Sequence, residues 1–399
     1  MVYFYRQLLQ PIVKNKELAI LVLICVINSL GFGIIFPLMY RYGKDFGLTV
    51  EILGWLTAAY SAAQFVATPV LGAMSDRFGR KPLLAISLLG TCISFLMFAW
   101  AQGIIMLFAA RILDGLTGGN VSVAQAMISD TSTSKDRAKK FGILSSAFGF
   151  GFVMGPAVGG FLNTFGPQVP FYSAAGIALL GSLCSMFLLK ETNSKGKRTN
   201  AADKRKFTLA SLFNTLKIPI VGTAIFTGFL LTLAQFTMII GVQTFSVDAL
   251  KMSAAQLGLL YTGFALTGIL MQLCVPLLTK RMTKTVILLL STLLCFIAML
   301  LTGFTGAFIT FGICLCMYGL FNGLRNPMLN AIIADNNNPQ RQGEVMGVNY
   351  AWTSLGQFFG PISAGLITVI SIHSVFFLSA FYILVAFLFT FRLASKSKT

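Results

Sequence analysis

Long apolar runs separated by short polar segments make up most of the sequence. The runs are centred near residues 28, 62, 92, 116, 152, 180, 229, 266, 294, 318, 357 and 384. A helix needs about 20 apolar residues to cross a hydrocarbon core, because lipid offers no partner to an unpaired backbone group. The pattern therefore predicts an all-α integral membrane protein with twelve transmembrane helices.

The polar segment ETNSKGKRTNAADKRK, residues 191–206, is the only long one between runs, and it divides them into six and six. We expect an N-terminal six-helix bundle over residues 1–190, a cytoplasmic linker over 191–217 and a C-terminal six-helix bundle over 218–399. A repeat with an offset of 205 residues supports a duplication, since Asp130, Gly142 and Gly155-Pro156 recur as Asp335, Gly347 and Gly360-Pro361. Two pseudo-symmetric bundles with a site between them at the midplane are typical of transporters that work by alternating access.

Charge and composition narrow the function. Hydrophobic residues make up 56% of the chain and charged residues 11%, with a net charge of +18. The basic residues follow alternate apolar runs, so the positive-inside rule places both termini in the cytoplasm. They are neither gathered on one soluble face nor interleaved with aromatic residues, which argues against nucleic-acid binding. The seven cysteines lie within the runs without metal-ligand spacing, and no nucleotide-binding loop is present, so we expect neither an enzyme nor a cofactor or metal.

Two glycine-containing motifs carry a resemblance to a known family. Gly72-x3-Asp76-Arg77-x-Gly79-Arg80, after the second run, resembles the loop signature of the major facilitator superfamily. The fifth run contains Gly151-x3-Gly155-Pro156-x2-Gly159-Gly160, which is similar to the motif of its drug/proton antiporter branch. The first half resembles the bacterial tetracycline and multidrug exporters over nearly its whole length. The second half is similar mainly in its topology and in Gly360-Pro361.

The resemblance implies roles for both motifs. In this family the loop carboxylate, here Asp76, reaches the N-terminal end of the eleventh span, and Arg77 and Arg80 bridge cytoplasmic helix ends of the first half. Such a cluster acts as a conformational latch, although the arginines alone would also fit ordinary membrane anchors. The glycines of the fifth span form a seam that closes during exchange, and tight helix packing is the simpler interpretation of the same residues.

Arg111 and Asp114 lie three residues apart in the fourth run and so share a helix face. An ionisable residue at membrane depth is costly, so the pair should face the bundle interior. Either it is a neutral structural pair, or Asp114 carries the proton while Arg111 keeps it ionised until substrate or a conformational change displaces the arginine. The tetracycline exporters carry an aspartate in the first span where this chain has Asn28, and spans one, two, seven, eight and nine contain no acidic residue. Coupling to a proton gradient therefore depends on Asp114.

Polar and aromatic residues in mid-span are candidates for a substrate cavity, because lipid would penalise the polar ones. The candidates are Asn28, Phe32, Gln64, Gln235, Gln272, Asn322, Arg325, Trp352 and Gln357. Arg325 would suit an anionic or zwitterionic substrate, or it bonds backbone carbonyls beside Pro327.

The leading hypothesis is a monomeric exporter of the bacterial inner membrane, surrounded by the lipid bilayer. It would move small amphipathic, drug-like molecules outward in exchange for protons. One alternative is export of an endogenous anionic metabolite such as a siderophore. Another is import or facilitated passage of a specific polar metabolite, favoured by the missing first-span aspartate.

Overall fold

Helices form nearly all of the structure, a computed structural model that describes residues 15–132, 134–193, 209–337 and 342–396. The first six long helices are α1 Lys16–Ile35, α2 Val50–Phe78, α3 Arg80–Ala99, α4 Ile104–Thr117 with its continuation α4′ Asn120–Asp130, α5 Ser134–Leu162 and α6 Val169–Leu188. The second six are α7 Val221–Asp248, α8 Ala254–Leu273, α9 Lys284–Thr302, α10 Phe308–Asp335, α11 Gln342–Ile367 and α12 Ser374–Lys396. A short helix, Leu209–Leu216, lies before α7. Most of the predicted linker and both chain ends lie outside the described residues.

Ten of the described helical segments are long and apolar enough to cross a membrane. They match ten of the twelve predicted runs. The other two runs are α2 and α11, which contain 29 and 26 residues and a proline each, Pro69 and Pro361. At 1.5 Å per residue both helices exceed the thickness of a hydrocarbon core of about 30 Å. Their polar and small residues lower the mean hydropathy of these helices, but both helices are still long enough to cross a membrane.

The chain divides into two compact units. One comprises Met1–Gly47, Ala59–Lys204 and Ala254–Thr262, and the other comprises Leu48–Ala58, Arg205–Ser253 and Gly263–Thr399. In the first unit α1 packs along α5 and α6, and α3 packs along α4 and α6. In the second, α7 packs along α11 and α12, and α9 packs along α10 and α12. Each pairing of the first unit recurs six helices later, as the repeat in the sequence predicts.

Local chemistry sets the helix ends that position the site. The Asn15 side chain accepts a hydrogen bond of 3.0 Å from Leu18 N and caps the start of α1. α3 begins directly after Gly79, whose φ of 111° favours glycine. The fourth span is interrupted at Gly118 and Gly119, between α4 and α4′.

Candidate functional site

A buried ion pair lies in the first unit. Arg111 is 2% exposed and Asp114 is 4% exposed, and Arg111 Nη1 lies 3.3 Å from Asp114 Oδ2. Both residues project from the same face of α4, as their spacing predicts. The structure therefore brings together the two residues predicted to couple transport to protons, and it places them inside the helical bundle.

Sequence reasoning missed a third member of this site, Tyr60 on α2. The Arg111 guanidinium carbon lies 4.1 Å from the centroid of the Tyr60 ring, a cation–π contact. Gln64, predicted to line the cavity, donates from Nε2 to the Tyr60 hydroxyl at 3.0 Å and to Gly118 O at 3.3 Å. The amide thus ties the ring to the end of α4. The only signal in the sequence was the four-residue spacing of Tyr60 and Gln64, which puts both on one face of α2.

The hydrogen bonds of Arg111 are incomplete. Its Nε and Nη2 atoms are buried without a hydrogen-bond partner. The guanidinium has five N–H donors, but its contacts are one carboxylate, that of Asp114, and the face of one aromatic ring, that of Tyr60. Asp114 is the one charged partner of Arg111 among the described residues, so protonation of Asp114 would leave the guanidinium with the Tyr60 ring. The arrangement can therefore take up and release one proton while the arginine remains in reach.

A second cluster surrounds Arg80 at the start of α3. Arg80 Nη2 lies 2.5 Å from Asp76 Oδ1, and Arg80 Nε lies 3.2 Å from Asp130 Oδ2 at the end of α4′. Arg80 also donates to the Ser75 hydroxyl. The predicted latch residues Asp76 and Arg80 are thus brought together, and Asp130 is an additional member.

Gly72 joins this network only through its carbonyl, which accepts a hydrogen bond of 2.8 Å from the Ser75 hydroxyl, and Arg77 makes no contact with it among the described residues. Arg77 is exposed, and its guanidinium carbon lies 5.3 Å from the centroid of the Phe78 ring. A Cβ at Gly72 would meet nothing within 4 Å. The contact of Asp76 with the start of the eleventh span stays a prediction.

Glu191, at the end of the sixth span, caps α3. Its carboxylate accepts hydrogen bonds from Arg80 N at 3.0 Å, Lys81 N at 3.1 Å and Asn193 N at 2.9 Å. Negative charge is favourable at a helix N-terminus because the first N–H groups are unpaired there. A Cβ at Gly79 would lie 2.5 Å from Glu191 Oε2, so glycine is needed both for its φ and for this cap.

The glycine motif of α5 contacts two helices. Gly151, Gly155 and Gly159 face α1, where a Cβ at Gly155 would lie 2.6 Å from the Cα of Gly33. Gly160 lies on another side, where its Cβ would be 2.6 Å from Ala254 O. Pro156 presents its carbonyl to Gly258. The motif thus sets close backbone approaches in two directions, which is more than the single seam that the spacing predicts.

The remaining cavity candidates occupy different environments. In the first unit, Asn28 Oδ1 accepts a hydrogen bond of 2.7 Å from Asn120 Nδ2 of α4′. The Phe32 ring lies 6.1 Å from the ring of Tyr60, which in turn contacts Arg111. In the second unit, the Trp352 ring lies 5.3 Å from that of Phe229. The other candidates in that unit are half-buried Gln235, Asn322 and Gln357, exposed Gln272 and buried Arg325. Their joint role as a cavity lining stays a prediction.

Among the described residues, no group of three or more histidine, cysteine or acidic side chains could hold a metal ion.

Comparisons with known proteins agree with the motifs. A model of the Major Facilitator Superfamily matches residues 21–249 and 224–399. Multidrug resistance protein 2 of Bacillus subtilis (strain 168) is 30% identical to this chain over 369 residues, covering 89% of this chain and 90% of that protein. Tetracycline resistance protein, class B, of Escherichia coli is 29% identical over 371 residues, covering 90% of each.

A solved structure is similar in fold. The crystal structure of a bacterial homolog to the human lysosomal transporter Spinster matches with a TM-score of 0.77 at 15% identity, covering 95% of this chain and 96% of that one. The predicted fold class is confirmed: an all-α membrane protein with twelve transmembrane helices and the fold of the Major Facilitator Superfamily.

Proposed function

The chain belongs to the Major Facilitator Superfamily, and we propose that it exports amphipathic, drug-like organic compounds across the bacterial inner membrane by proton antiport and alternating access. Two relatives that match about nine-tenths of the chain carry names that refer to resistance to several drugs and to tetracycline. The positive-inside rule places the termini and the basic loops in the cytoplasm. Export would therefore move the substrate from the side of the basic loops to the side of the nearly neutral loops.

The observation that carries the proposal is the Arg111–Asp114 pair. Asp114 is the only buried carboxylate in the part of the chain that the structure describes. A charge at membrane depth is expensive, and its retention marks an ion or proton pathway more often than a packing role.

The proposed cycle uses one proton at one carboxylate. With Asp114 ionised, the pair with Arg111 is neutral as a whole and the cytoplasmic side accepts substrate. A proton from the outer side then binds Asp114, the guanidinium loses its charged partner, and the Tyr60 ring keeps it from moving away. Proton release to the cytoplasm restores the pair and resets the transporter.

The Arg80 cluster is proposed as the latch of this cycle. Its charged groups lie at three helix ends, those of α2, α3 and α4′, so relative movement of these helices must break or stretch the ion pairs. Arg80 is 12% exposed in these pairs, whereas Asp76 and Asp130 are 39% and 28% exposed. Ion pairs that water reaches in this way are worth about 1 kcal/mol each, which suits a contact that must form and break repeatedly.

The test is uptake of a fluorescent cationic dye into inverted membrane vesicles under an imposed inside-acid pH gradient. The wild type should accumulate dye only with the gradient, and Asp114→Asn should lose that dependence. Asp45→Asn is the matched control, because Asp45 is exposed in a short turn after α1. Full gradient-driven uptake by Asp114→Asn would reject the assignment of the proton to this residue. A wild type that moves no solute with or without the gradient would reject antiport.

A further inference from the structure

Arg325 is a buried cation in the second unit whose hydrogen-bond partners are all neutral. It lies in α10 and is 2% exposed. Its Nη1 donates to the Tyr318 hydroxyl at 3.0 Å, and its Nη2 donates to Leu231 O of α7 at 2.8 Å. Its Nε is buried without a partner. Among the described residues, the groups that hold the positive charge are therefore neutral dipoles, and none of them is an anion.

The sequence shows that this half of the chain cannot supply the missing anion within the membrane. From residue 205 to the end, the acidic residues are Asp248, Asp335 and Glu344. Asp248 and Asp335 are the last residues of α7 and α10, and Asp335 is ten residues from Arg325, or about 15 Å along the helix. Asp335 instead pairs with Lys284 at the start of α9.

The contrast with Arg111 is direct. Both arginines are buried to the same degree, but Arg111 has Asp114 at 3.3 Å, whereas no described carboxylate pairs with Arg325. A buried charge without a counter-charge is costly and needs a partner from elsewhere. We propose that Arg325 is a binding subsite for the anionic group of a transported amphipathic compound, which supplies the missing negative charge.

This inference rests on the proposed transport function, because the helix movements of the cycle are what would give a solute access to Arg325. The surroundings define the ligand further. The Tyr318 ring is stacked against Phe264, with centroids 6.1 Å apart and planes 11° apart. Carboxylate or sulfonate oxygens can accept from the free Nε–H in a charge-assisted hydrogen bond. An aromatic compound that carries one carboxylate or sulfonate fits this chemistry.

A purely structural role is the competing explanation. The bond from Arg325 to Leu231 O joins α10 to α7, and a tether of this kind would affect neutral and anionic ligands equally. The decisive quantity is therefore the ratio of affinities for two ligands that differ only in charge.

8-Anilinonaphthalene-1-sulfonate and N-phenyl-1-naphthylamine share one skeleton, and only the first carries a sulfonate. Binding of each would be measured by fluorescence with the full chain in phosphatidylcholine nanodiscs, after subtraction of empty nanodiscs. We expect the wild type to prefer the sulfonate. Arg325→Gln should reduce this preference by roughly ten- to hundredfold, the value of one charge-assisted hydrogen bond. Arg325→Lys keeps the charge and should retain most of it.

Arg392→Gln is the matched control, because Arg392 is exposed near the end of α12 and the same substitution there should leave the ratio unchanged. An unchanged ratio in Arg325→Gln, or an equal loss for both dyes, would overturn the proposal. If Arg325→Gln fails to fold, a wild type without preference for the sulfonate would overturn it as well. Gradient-driven uptake of the cationic dye by the wild type is measured in parallel, so a failure of antiport is distinguished from a failure of the anion site.

Discussion

Gly155 offers a sharp test of the packing between α1 and α5. A Cβ at this position would lie 2.6 Å from both the Cα and the carbonyl carbon of Gly33, and 2.9 Å from Ile34 N. All three neighbours are backbone atoms, which cannot rotate away as a side chain can. Gly155→Ala therefore requires the two helices to separate.

The size of the effect follows from the overlap. Carbon atoms in contact prefer about 3.5–4.0 Å, so the helices must move apart by about 1 Å. Overpacking of this kind costs about 1–3 kcal/mol. Alanine also gains about 1 kcal/mol of helix propensity over glycine, which would mask part of the loss. Gly142→Ala in the same helix has the same propensity gain, and a Cβ there meets nothing within 4 Å. The difference between the two variants isolates the overlap.

The assay is thermal unfolding of both purified variants in detergent, together with gradient-driven dye uptake. We expect Gly155→Ala to unfold several degrees below Gly142→Ala, since 1 kcal/mol corresponds to about 2–4 °C in units of this size. Transport by Gly155→Ala should fall, while Gly142→Ala should match the wild type. Equal unfolding temperatures and equal transport in the two variants would refute the inference that this close approach matters.

Two further predictions concern the residues that only the structure revealed. Glu191→Ala removes the cap of α3 and should lower the free energy of unfolding by about 0.5–2 kcal/mol, which is measured as a lower unfolding temperature. Asp45→Ala, at an exposed position in a three-residue turn, serves as the control. An unaltered unfolding temperature in Glu191→Ala would count against the cap. Tyr60→Phe keeps the ring over Arg111 and should retain proton-coupled uptake of the dye. Tyr60→Leu loses a cation–π contact worth about 0.5–2 kcal/mol and should weaken the dependence of uptake on the pH gradient. Equal gradient-driven uptake by the two variants would argue against the cation–π role.

The helices could be predicted from the sequence because membrane spans depend on local composition. Each apolar run is long enough to satisfy its own backbone, so no information about neighbouring helices is needed to find it. α2 and α11 are not among the ten helices apolar enough to count as membrane spans by composition. The sequence still predicts both, because the stretch between their flanking charges is long enough to cross a membrane even though each contains a proline.

The site could be predicted only in part. Arg111 and Asp114 are neighbours on one helix, so their spacing was enough to pair them. Tyr60 lies over Arg111 because α2 and α4 cross closely at Gly115, where a Cβ would lie 2.5 Å from Tyr60 O. Glu191 meets Arg80 across a separation of 111 residues. Such contacts depend on how helices cross, which hydropathy does not encode.

The repeat separates what the two halves share from what distinguishes them. Asp130 and Asp335 are equivalent at the offset of 205, and each pairs with the first residue of a helix, Arg80 of α3 and Lys284 of α9. The equivalent positions in mid-helix differ, because Asp114 corresponds to Gly319 and Asn120 corresponds to Arg325.

Ion pairs at helix ends therefore belong to the common scaffold, while the charges at membrane depth are particular to each half. One half holds a buried carboxylate paired with an arginine, and the other holds a buried arginine that pairs with no carboxylate among the described residues. Since a charge at membrane depth is retained only against a cost, this asymmetry is best explained by a division of roles. This division matches the two proposals, in which the first half would couple transport to the proton and the second half would bind the charge of the substrate.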